Sequence, residues 1–276
     1  MRIDAHQHFW RYTVEEYGWI GPELQILQKD HLPHDLSPLL DSAGIAGTIA
    51  VQARQTLEET QWLLDLADHH PFITGVVGWV DLRNPRLAEQ LERFCAHPRF
   101  RGVRHVVQDE PDDQFMLRED FLQGLATLQA YGLTYDILIF PRHLPVACQV
   151  VAQSPGQPFV LDHIAKPLIR DGIMDPWAEG IQRLASFPNV YCKVSGMVTE
   201  ADWQRWQPAD LRPYLDIIFE AFGPERIMFG SDWPVCTLAG TYAEVANVLF
   251  DYVEHLSEHE QAAVWGETAW KLYGLG

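Results

Sequence analysis

The sequence is short of the features that mark disulfide-stabilised, secreted and membrane proteins. It has four cysteines in 276 residues, widely spaced and without a CxxC pair, so neither a disulfide framework nor a cysteine-based zinc motif is expected. No stretch approaches the roughly 18 uninterrupted apolar residues of a membrane-spanning helix. The chain does not open with a basic segment followed by an apolar one. We therefore expect a soluble protein of the cytoplasm with no membrane partner.

Basic residues and phosphate-binding motifs are scarce too. Lysine and arginine together number 20 against 38 acidic residues, which gives a formal net charge of −18. So acidic a chain repels nucleic acid and anionic lipid surfaces, and no nucleic-acid partner is expected. Neither GxGxxG nor a P-loop is present, so nothing supports nucleotide binding. The GxSxG motif of serine hydrolases is also missing.

Short β-branched runs alternate with longer segments of helical periodicity. This pattern is typical of parallel sheets, and eight repeats in a chain of this length favour a closed (β/α)8 barrel over an open sheet. With no linker, repeat or low-complexity segment, we expect an α/β fold with one domain over 1–276. The segment 10–35 is expected to form a long first loop that shapes a pocket. The predicted strands are 2–6, 47–53, 73–80, 100–107, 133–140, 159–163, 190–196 and 227–232.

Three helices carry recognisable end signals. Thr56 followed by Glu59 predicts a capping box at the start of a helix over 56–70. Helices over 121–132 and 210–223 each end in a glycine, Gly132 and Gly223, as expected for a C-terminal cap.

Ionisable residues gather where the predicted strands end. The chemistry of such barrels lies at the carboxyl ends of the strands, so these residues are expected to share one site. His6 and His8 lie two apart and would point to one face, while His163 and Asp232 follow strands 6 and 8. Imidazole and carboxylate suit zinc and similar ions, and Asp232 could serve as a general base. The competing interpretation is that these residues cap strands and turns.

Other side chains are candidates for contact with a substrate. Arg104 and His105 could stabilise a carbonyl oxygen, although adjacent strand residues point to opposite faces; a surface pair with Asp109 or Glu110 is the alternative. Lys166 could bind substrate or lie in a solvated loop. Tryptophans near strand ends could stack on a sugar-like ring or belong to the core. The candidates for substrate binding are Trp10, Trp19, Arg54, Trp79 and Lys166.

Ordered motifs add a family resemblance. "DAHQHFW", "LDHIAKP" and "MFGSDWP" resemble strands 1, 6 and 8 of the amidohydrolase superfamily, in its amidohydrolase-2 branch. "FRGVRHVVQDEPD" and "CKVSGMVTEADW" are similar to its sugar-lactonase group. The resemblance implies a distorted (β/α)8 barrel that hydrolyses a sugar lactone, such as L-fucono- or L-rhamnono-lactone, in carbohydrate catabolism. It implies catalytic roles for Asp232, His163, His105 and Arg104, with Asp232 activating water.

The resemblance also bears on cofactors. Metal-dependent members carry a further ligand on strand 5, which "YDILIF" lacks, so a two-metal site is not expected. One divalent ion, zinc by preference, would be held by His6, His8 and Asp232 with His163; catalysis without metal is the alternative. The partner is expected to be a small lactone, and the protein a monomer or small homo-oligomer.

Two rival functions remain open at this point. A lactonase resembling 2-pyrone-4,6-dicarboxylate lactonase, or a decarboxylase, would act on a carboxylate-bearing aromatic-derived substrate. Either would need converging arginines, which Arg54, Arg104 and Arg142 could supply. The other rival is a metal- or sugar-binding protein without catalysis, in which Asp232 would be dispensable.

Overall fold

A closed barrel of parallel strands forms the centre of the molecule. The computed structural model describes residues 1–275. The strands pair in sequence order, and Gln7 pairs with Trp233 to join the last strand to the first. The (β/α)8 prediction is confirmed. The strands are β1 Ile3–Gln7, β2 Gly47–Val51, β3 Ile73–Gly78, β4 Phe100–Val106, β5 Thr134–Leu138, β6 Phe159–Leu161, β7 Val190–Val194 and β8 Ile227–Phe229.

Helices surround this sheet and follow the strands in turn. They are α1 Pro33–Ala43, α2 Leu57–His69, α3 Leu87–Cys95, α4 Glu119–Ala130, α5 Leu144–Gln153, α6 Trp177–Ala185, α7 Pro208–Phe222, α8 Tyr242–Val253, α9 Glu258–Ala262 and α10 Thr268–Leu272. The three predicted helices correspond to α2, α4 and α7. Gly132 and Gly223 follow α4 and α7 with φ of +68° and +70°. Within residues 1–275 no helix is long and apolar enough to cross a membrane.

The start of α2 differs from the predicted capping box. The Thr56 hydroxyl accepts from the Glu59 backbone N–H at 3.1 Å, as expected of an N-cap. The Glu59 carboxylate does not reach back to Thr56. It is buried and accepts instead from the backbone N–H groups of Ala53 (3.0 Å) and Arg54 (2.7 Å). The capping box is therefore wrong, because Glu59 holds the loop after β2.

Apolar residues form two main layers. The larger cluster lies between the sheet and the helices. A smaller one joins residues from strands on opposite sides of the barrel and therefore fills the lumen; it also contains Tyr273 and Leu275 from the end of the chain. Its strand residues are Ile3, Ala5, Ile49, Val51, Val77, Val160 and Met228. Apolar and polar side chains thus share the lumen, since Val160 pairs with Asp136 and Met228 with Lys193.

The first loop has a core of its own. Trp10, Tyr17, Ile20 and Leu27 form a separate buried cluster. Ala53, Val235 and Leu238, from the loops after β2 and β8, pack against it. This anchors the loop beside the carboxyl ends of the strands, as the sequence predicted for a pocket-forming segment.

Candidate active site

A β-bulge turns the two N-terminal histidines into the barrel. Along β1 the partners advance from Asp4↔Thr48 to Gln7↔Ala50, so β1 contains one residue more than β2 over that interval. Ile3 and Ala5 already face the lumen. Strict alternation would turn His6 outward, and the extra residue reverses this. His6 and His8 consequently face the same site, their Nε2 atoms 3.2 Å apart.

The segments after β6 and β8 adopt left-handed backbone conformations. His163, Ile164, Ala165 and Lys166 have φ between +48° and +60°, and Asp232 has φ of +57°. This conformation costs non-glycine residues roughly 1–2 kcal/mol each. Such strain persists where the surrounding structure imposes it, commonly at functional sites. It also ends both strands earlier than predicted, at Leu161 and Phe229.

Three imidazoles converge on one carboxylate oxygen. Asp232 Oδ1 lies 3.4 Å from His8 Nε2, 3.8 Å from His6 Nε2 and 3.9 Å from His163 Nε2. All four side chains are buried. The structure therefore brings together the four residues that the sequence predicted as the centre of the site.

The protonation of these groups follows from burial and hydrogen bonding. His8 Nδ1 lies 2.8 Å from the Val51 carbonyl, which only accepts, so His8 Nδ1 donates to it and Nε2 is the atom turned toward the site. Burial lowers the pKa of His6 and of His163 well below the usual value, so both are neutral near pH 7. Burial raises the pKa of Asp232, but the imidazoles of His163 and His8 outweigh it and bring that pKa below its usual value. Asp232 is therefore a carboxylate.

This donor set fits one divalent ion. Ligand atoms of His6, His8 and Asp232 all lie within 4.8 Å of one another, and nitrogen–oxygen sets of this kind suit zinc. His8 Nε2 and the Asp232 carboxylate face each other at 3.4 Å, so both could contact one cation. β5 ends at Leu138, which lines the cleft, and among residues 1–275 no group of side chains that could hold a metal includes a residue of β5.

The Arg104 side chain points into the lumen, where Asp162 and the Gln52 carbonyl hold its guanidinium group. Its Nη1 lies 3.3 Å from His6 Nε2 and donates to Asp162 Oδ2 at 3.1 Å, and its Nη2 donates to the Gln52 carbonyl. Asp162 is buried and also forms an ion pair with Lys193, whose Nζ lies 3.1 Å from Asp162 Oδ1. Sequence reasoning assigned no separate role to Asp162 or Lys193, since a polar residue inside a barrel strand cannot be told from a surface one by periodicity alone.

His105 points away from this site. Its Nδ1 accepts from Trp79 Nε1 at 3.2 Å, its Nε2 lies 2.6 Å from Glu110 Oε1, and its ring stacks on Phe115 at 4.8 Å. His105 therefore fastens the loop after β4 to the outer face of the sheet. This corrects both the catalytic role expected of His105 and the substrate contact expected of Trp79: alternation along β4 allows only Arg104 to face inward, and Trp79 donates to His105 and does not line the cleft.

A cleft of about 750 Å³ opens above the four central residues. Of the predicted substrate-binding residues, Trp19, Arg54 and Lys166 line it. Trp10 does not, because it is fully buried in the first loop with Nε1 donating to Lys29 and Leu27 carbonyls. Sequence reasoning missed several polar lining residues, which loop composition does not distinguish from solvated ones: Glu15, Glu16, Gln55, Thr56, Gln108 and Asp109.

Among residues 1–275, the two arginines that line the cleft each form an ion pair with a carboxylate. Arg54 Nη1 lies 2.6 Å from Glu16 Oε1, and Arg104 is paired with Asp162. Arg142 is half exposed, pairs with Asp113 at 2.9 Å and does not line the cleft. The three arginines that a dicarboxylate substrate would need therefore do not converge.

Comparison with known proteins agrees with this geometry. An L-fucono-1,5-lactonase from Burkholderia multivorans is 45% identical over 286 positions, covering 100% of this chain and 96% of that protein. A crystal structure of an amidohydrolase from Burkholderia multivorans with bound zinc superposes with a TM-score of 0.96 at 45% identity, covering 100% of both chains.

A probable 2-pyrone-4,6-dicarboxylic acid hydrolase from Acinetobacter baumannii is more distant. It shares 19% identity over 99% of both chains with a TM-score of 0.78, a likeness of fold alone. The amidohydrolase family (Amidohydro_2) matches residues 3–275. The resemblance found in the sequence motifs is confirmed, and the chain belongs to the amidohydrolase family.

Proposed function

We propose that this enzyme hydrolyses a sugar lactone of the L-fucono-1,5-lactone type to the aldonic acid. The observation that carries the proposal is the Asp232 carboxylate, surrounded by three imidazole Nε2 atoms at the base of a polar cleft. A carboxylate in that position can accept a proton from water. A cleft whose two arginines, Arg54 and Arg104, are already paired with carboxylates favours an uncharged substrate. The 45% identical L-fucono-1,5-lactonase supports this choice of substrate class.

The residues divide the reaction between them. Asp232 accepts a proton as a water oxygen bonds to the lactone carbonyl carbon. Arg104, fixed by Asp162, stabilises the oxyanion of the tetrahedral intermediate. The bond between that carbon and the ring oxygen then breaks, and the proton on Asp232 passes to the departing ring oxygen. The product is the open-chain hydroxy acid, with every atom of water and lactone accounted for.

We further propose that one divalent ion, zinc by preference, takes part, with catalysis without metal as the alternative. An ion held by His6, His8 and Asp232, with His163 beside it, would polarise the carbonyl and lower the pKa of a bound water. The chain contributes to this through the contact of His8 Nδ1 with the Val51 carbonyl, which orients the ring so that Nε2 faces the site.

Trp19, Arg54 and Lys166 are proposed to bind the sugar. They lie on the cleft wall, and an exposed indole beside polar side chains suits a ring that has both apolar faces and hydroxyl groups. We place the reaction in carbohydrate catabolism in the cytoplasm, in keeping with four free cysteines. A monomer or small homo-oligomer suffices, because each residue of the site comes from one chain.

The decisive experiment measures hydrolysis of L-fucono-1,5-lactone with a pH indicator, after subtraction of spontaneous opening. Asp232→Asn should lower kcat by at least about 10²-fold, the range for loss of a general base. Asp65→Asn, an exposed amide substitution on α2, is the matched control and should be neutral. Full activity of Asp232→Asn, or no opening of any aldonolactone by the wild type, would contradict the proposal.

The metal is tested separately. Purified protein is dialysed against a chelator, analysed for bound metal and assayed before and after zinc is restored. Loss of activity that zinc restores supports the ion, whereas unchanged turnover in metal-free protein supports the metal-independent alternative and leaves the lactonase proposal standing.

A further inference from the structure

A chain of polar groups crosses the barrel lumen beneath the site. Tyr273, just after α10, donates its hydroxyl to Asp136 Oδ2 at 3.0 Å. Asp136 pairs with Lys193, and Lys193 Nζ lies 3.1 Å from Asp162 Oδ1. Asp162 Oδ1 in turn lies 3.2 Å from His6 Nδ1. The end of the chain is thereby connected to the catalytic centre.

This arrangement is costly as a purely structural device. Asp136, Asp162 and Lys193 have no exposed surface at all. Removing a charge from water costs several kcal/mol, and apolar residues of similar volume often stabilise a protein as well as a buried ion pair does. The neighbouring lumen positions are apolar, Val160 beside Asp136 and Met228 beside Lys193, so this barrel could be filled without charges.

The geometry indicates what these buried charges do, which is to hold Asp162 in place beside His6. Asp162 Oδ1 forms an ion pair with Lys193, and Asp162 Oδ2 accepts a hydrogen bond from Arg104. The two contacts together fix the plane of the carboxylate. That carboxylate faces His6 Nδ1, while His6 Nε2 faces Asp232. A carboxylate behind an imidazole sets both the ring orientation and the tautomer. Lys193 Nζ is also 3.4 Å from His6 Nδ1, so it bounds the position of the ring directly.

We infer that Lys193, tethered by Asp136 and Tyr273, is a positioning residue that holds Asp162 and, through it, orients His6 for the reaction. The inference rests on the proposed lactonase function for its kinetic test. Lys193 itself does not touch the substrate, since it does not line the cleft.

The test separates positioning from charge balance. Lys193→Met leaves Asp136 buried without its cation and should lower both Tm and kcat. In Asp136→Asn/Lys193→Met the buried pair is removed together, so Tm should recover. If Lys193 positions His6, kcat in this double variant stays at least about 10-fold below the wild type while KM changes less than about 3-fold, since small misplacements cost up to about 10²-fold. Recovery of kcat together with Tm would overturn the inference.

A milder variant covers the case in which neither protein folds. Tyr273→Phe removes only the hydroxyl that holds Asp136, and should lower kcat several-fold at unchanged KM. Tyr214→Phe is the matched control, because that hydroxyl, on a side chain that is also buried, donates to the Leu168 and Ile173 carbonyls, outside the network. Equal kcat in the two variants would contradict a positioning role.

A readout without turnover keeps this claim distinct from the lactonase proposal. In protein labelled with ¹⁵N-histidine, the chemical shifts of His6 report its tautomer. We expect the Nδ1–H form in the wild type, because Asp162 Oδ1 accepts at Nδ1 at 3.2 Å and Arg104 can only donate to Nε2, while Lys193 is more distant from Nδ1, at 3.4 Å. In the double variant we expect a mixture of tautomers. If the wild type hydrolyses no lactone but the tautomer changes as expected, the proposed function fails and the positioning role stands. An unchanged tautomer overturns the positioning role.

Discussion

Gly196, directly after Ser195 in the loop following β7, provides the sharpest test of how the site is assembled. Its φ is +64°, and a Cβ built there would lie 2.7 Å from His163 Nδ1 and 2.9 Å from Cγ of the same ring. No real Cβ contact is that short, so in Gly196→Ala the imidazole has to move. The movement would break the 2.9 Å contact of His163 Nδ1 with Ser195 Oγ. His163 would then leave its place beside Asp232.

The size of the effect has two parts. The first is backbone strain, since an L-residue in this left-handed region costs roughly 1–2 kcal/mol. For a chain of this size that lowers Tm by about 2–8 °C, at roughly 2–4 °C per kcal/mol. The second part is catalytic, because displacing a group of the site by a fraction of an ångström to about 1 Å costs up to about 10²-fold in rate. Gly196→Ala should therefore lose about 10- to 100-fold in kcat, with a modest loss of stability.

Gly132→Ala is the matched control. Gly132 has nearly the same φ, +68°, but nothing lies within 4 Å of the Cβ it would gain, and it follows α4 on the far side of the helical layer. Thermal unfolding and lactone hydrolysis are measured on both variants. Similar Tm shifts with loss of kcat only in Gly196→Ala are expected. If both variants keep wild-type kcat, or lose it equally, the argument that Gly196 makes room for His163 is refuted.

Three further predictions follow from the contacts described above. Burial raises the pKa of Glu59 to about 7, although hydrogen bonds from the backbone N–H groups of Arg54 and Ala53 act to lower it. Between about pH 4.5 and 7 the folded protein therefore keeps a proton on Glu59 that the unfolded protein has released. Stability should fall as pH rises through this window, and less so in Glu59→Gln; equal Tm slopes between pH 5 and 8 would contradict this. His105→Leu loses the Glu110 contact and should lower Tm and raise KM through the loop bearing Gln108, with kcat within about 3-fold; a collapse of kcat would instead show a catalytic His105. Arg142→Gln should leave kcat/KM for the lactone unchanged, because Arg142 pairs with Asp113 outside the cleft, and a large loss would revive a carboxylate-bearing substrate.

The barrel and the centre of its site could be predicted because both depend on simple periodicities. Buried parallel strands produce β-branched runs whatever their neighbours, and the strand-end rule then selected His6, His8, His163 and Asp232 from the polar residues. The same rule placed Arg104 and His105 at one strand end without deciding which faces inward. That choice depends on the register of β4 against β5, which a single sequence does not contain.

What could not be predicted depends on contacts distant in sequence. The extra residue in β1 and the left-handed turn over 163–166 both oppose local preference, so propensity points away from them. Trp10 and Trp19 are equivalent by composition, yet one is sealed in the first loop and the other lines the cleft, because the loop folds over Trp10. The role of Tyr273 requires the chain to return beneath the barrel, which no local pattern near its end indicates.

Stability and activity therefore depend on different layers of this barrel, the layer between sheet and helices and the lumen. The cluster between sheet and helices holds most of the buried apolar side chains, whereas the lumen also holds charges and, after β6 and β8, strained residues. His163 and Asp232 stay in unfavourable conformations because closure of the barrel fixes them: Asp232 N–H donates to the His6 carbonyl at 2.8 Å, and Trp177 Nε1 donates to the Ile164 carbonyl at 2.6 Å within the left-handed turn. The apolar outer layer offsets the cost of this strain. Substitutions that relax the lumen should accordingly gain stability while losing the convergence on Asp232 that the reaction requires.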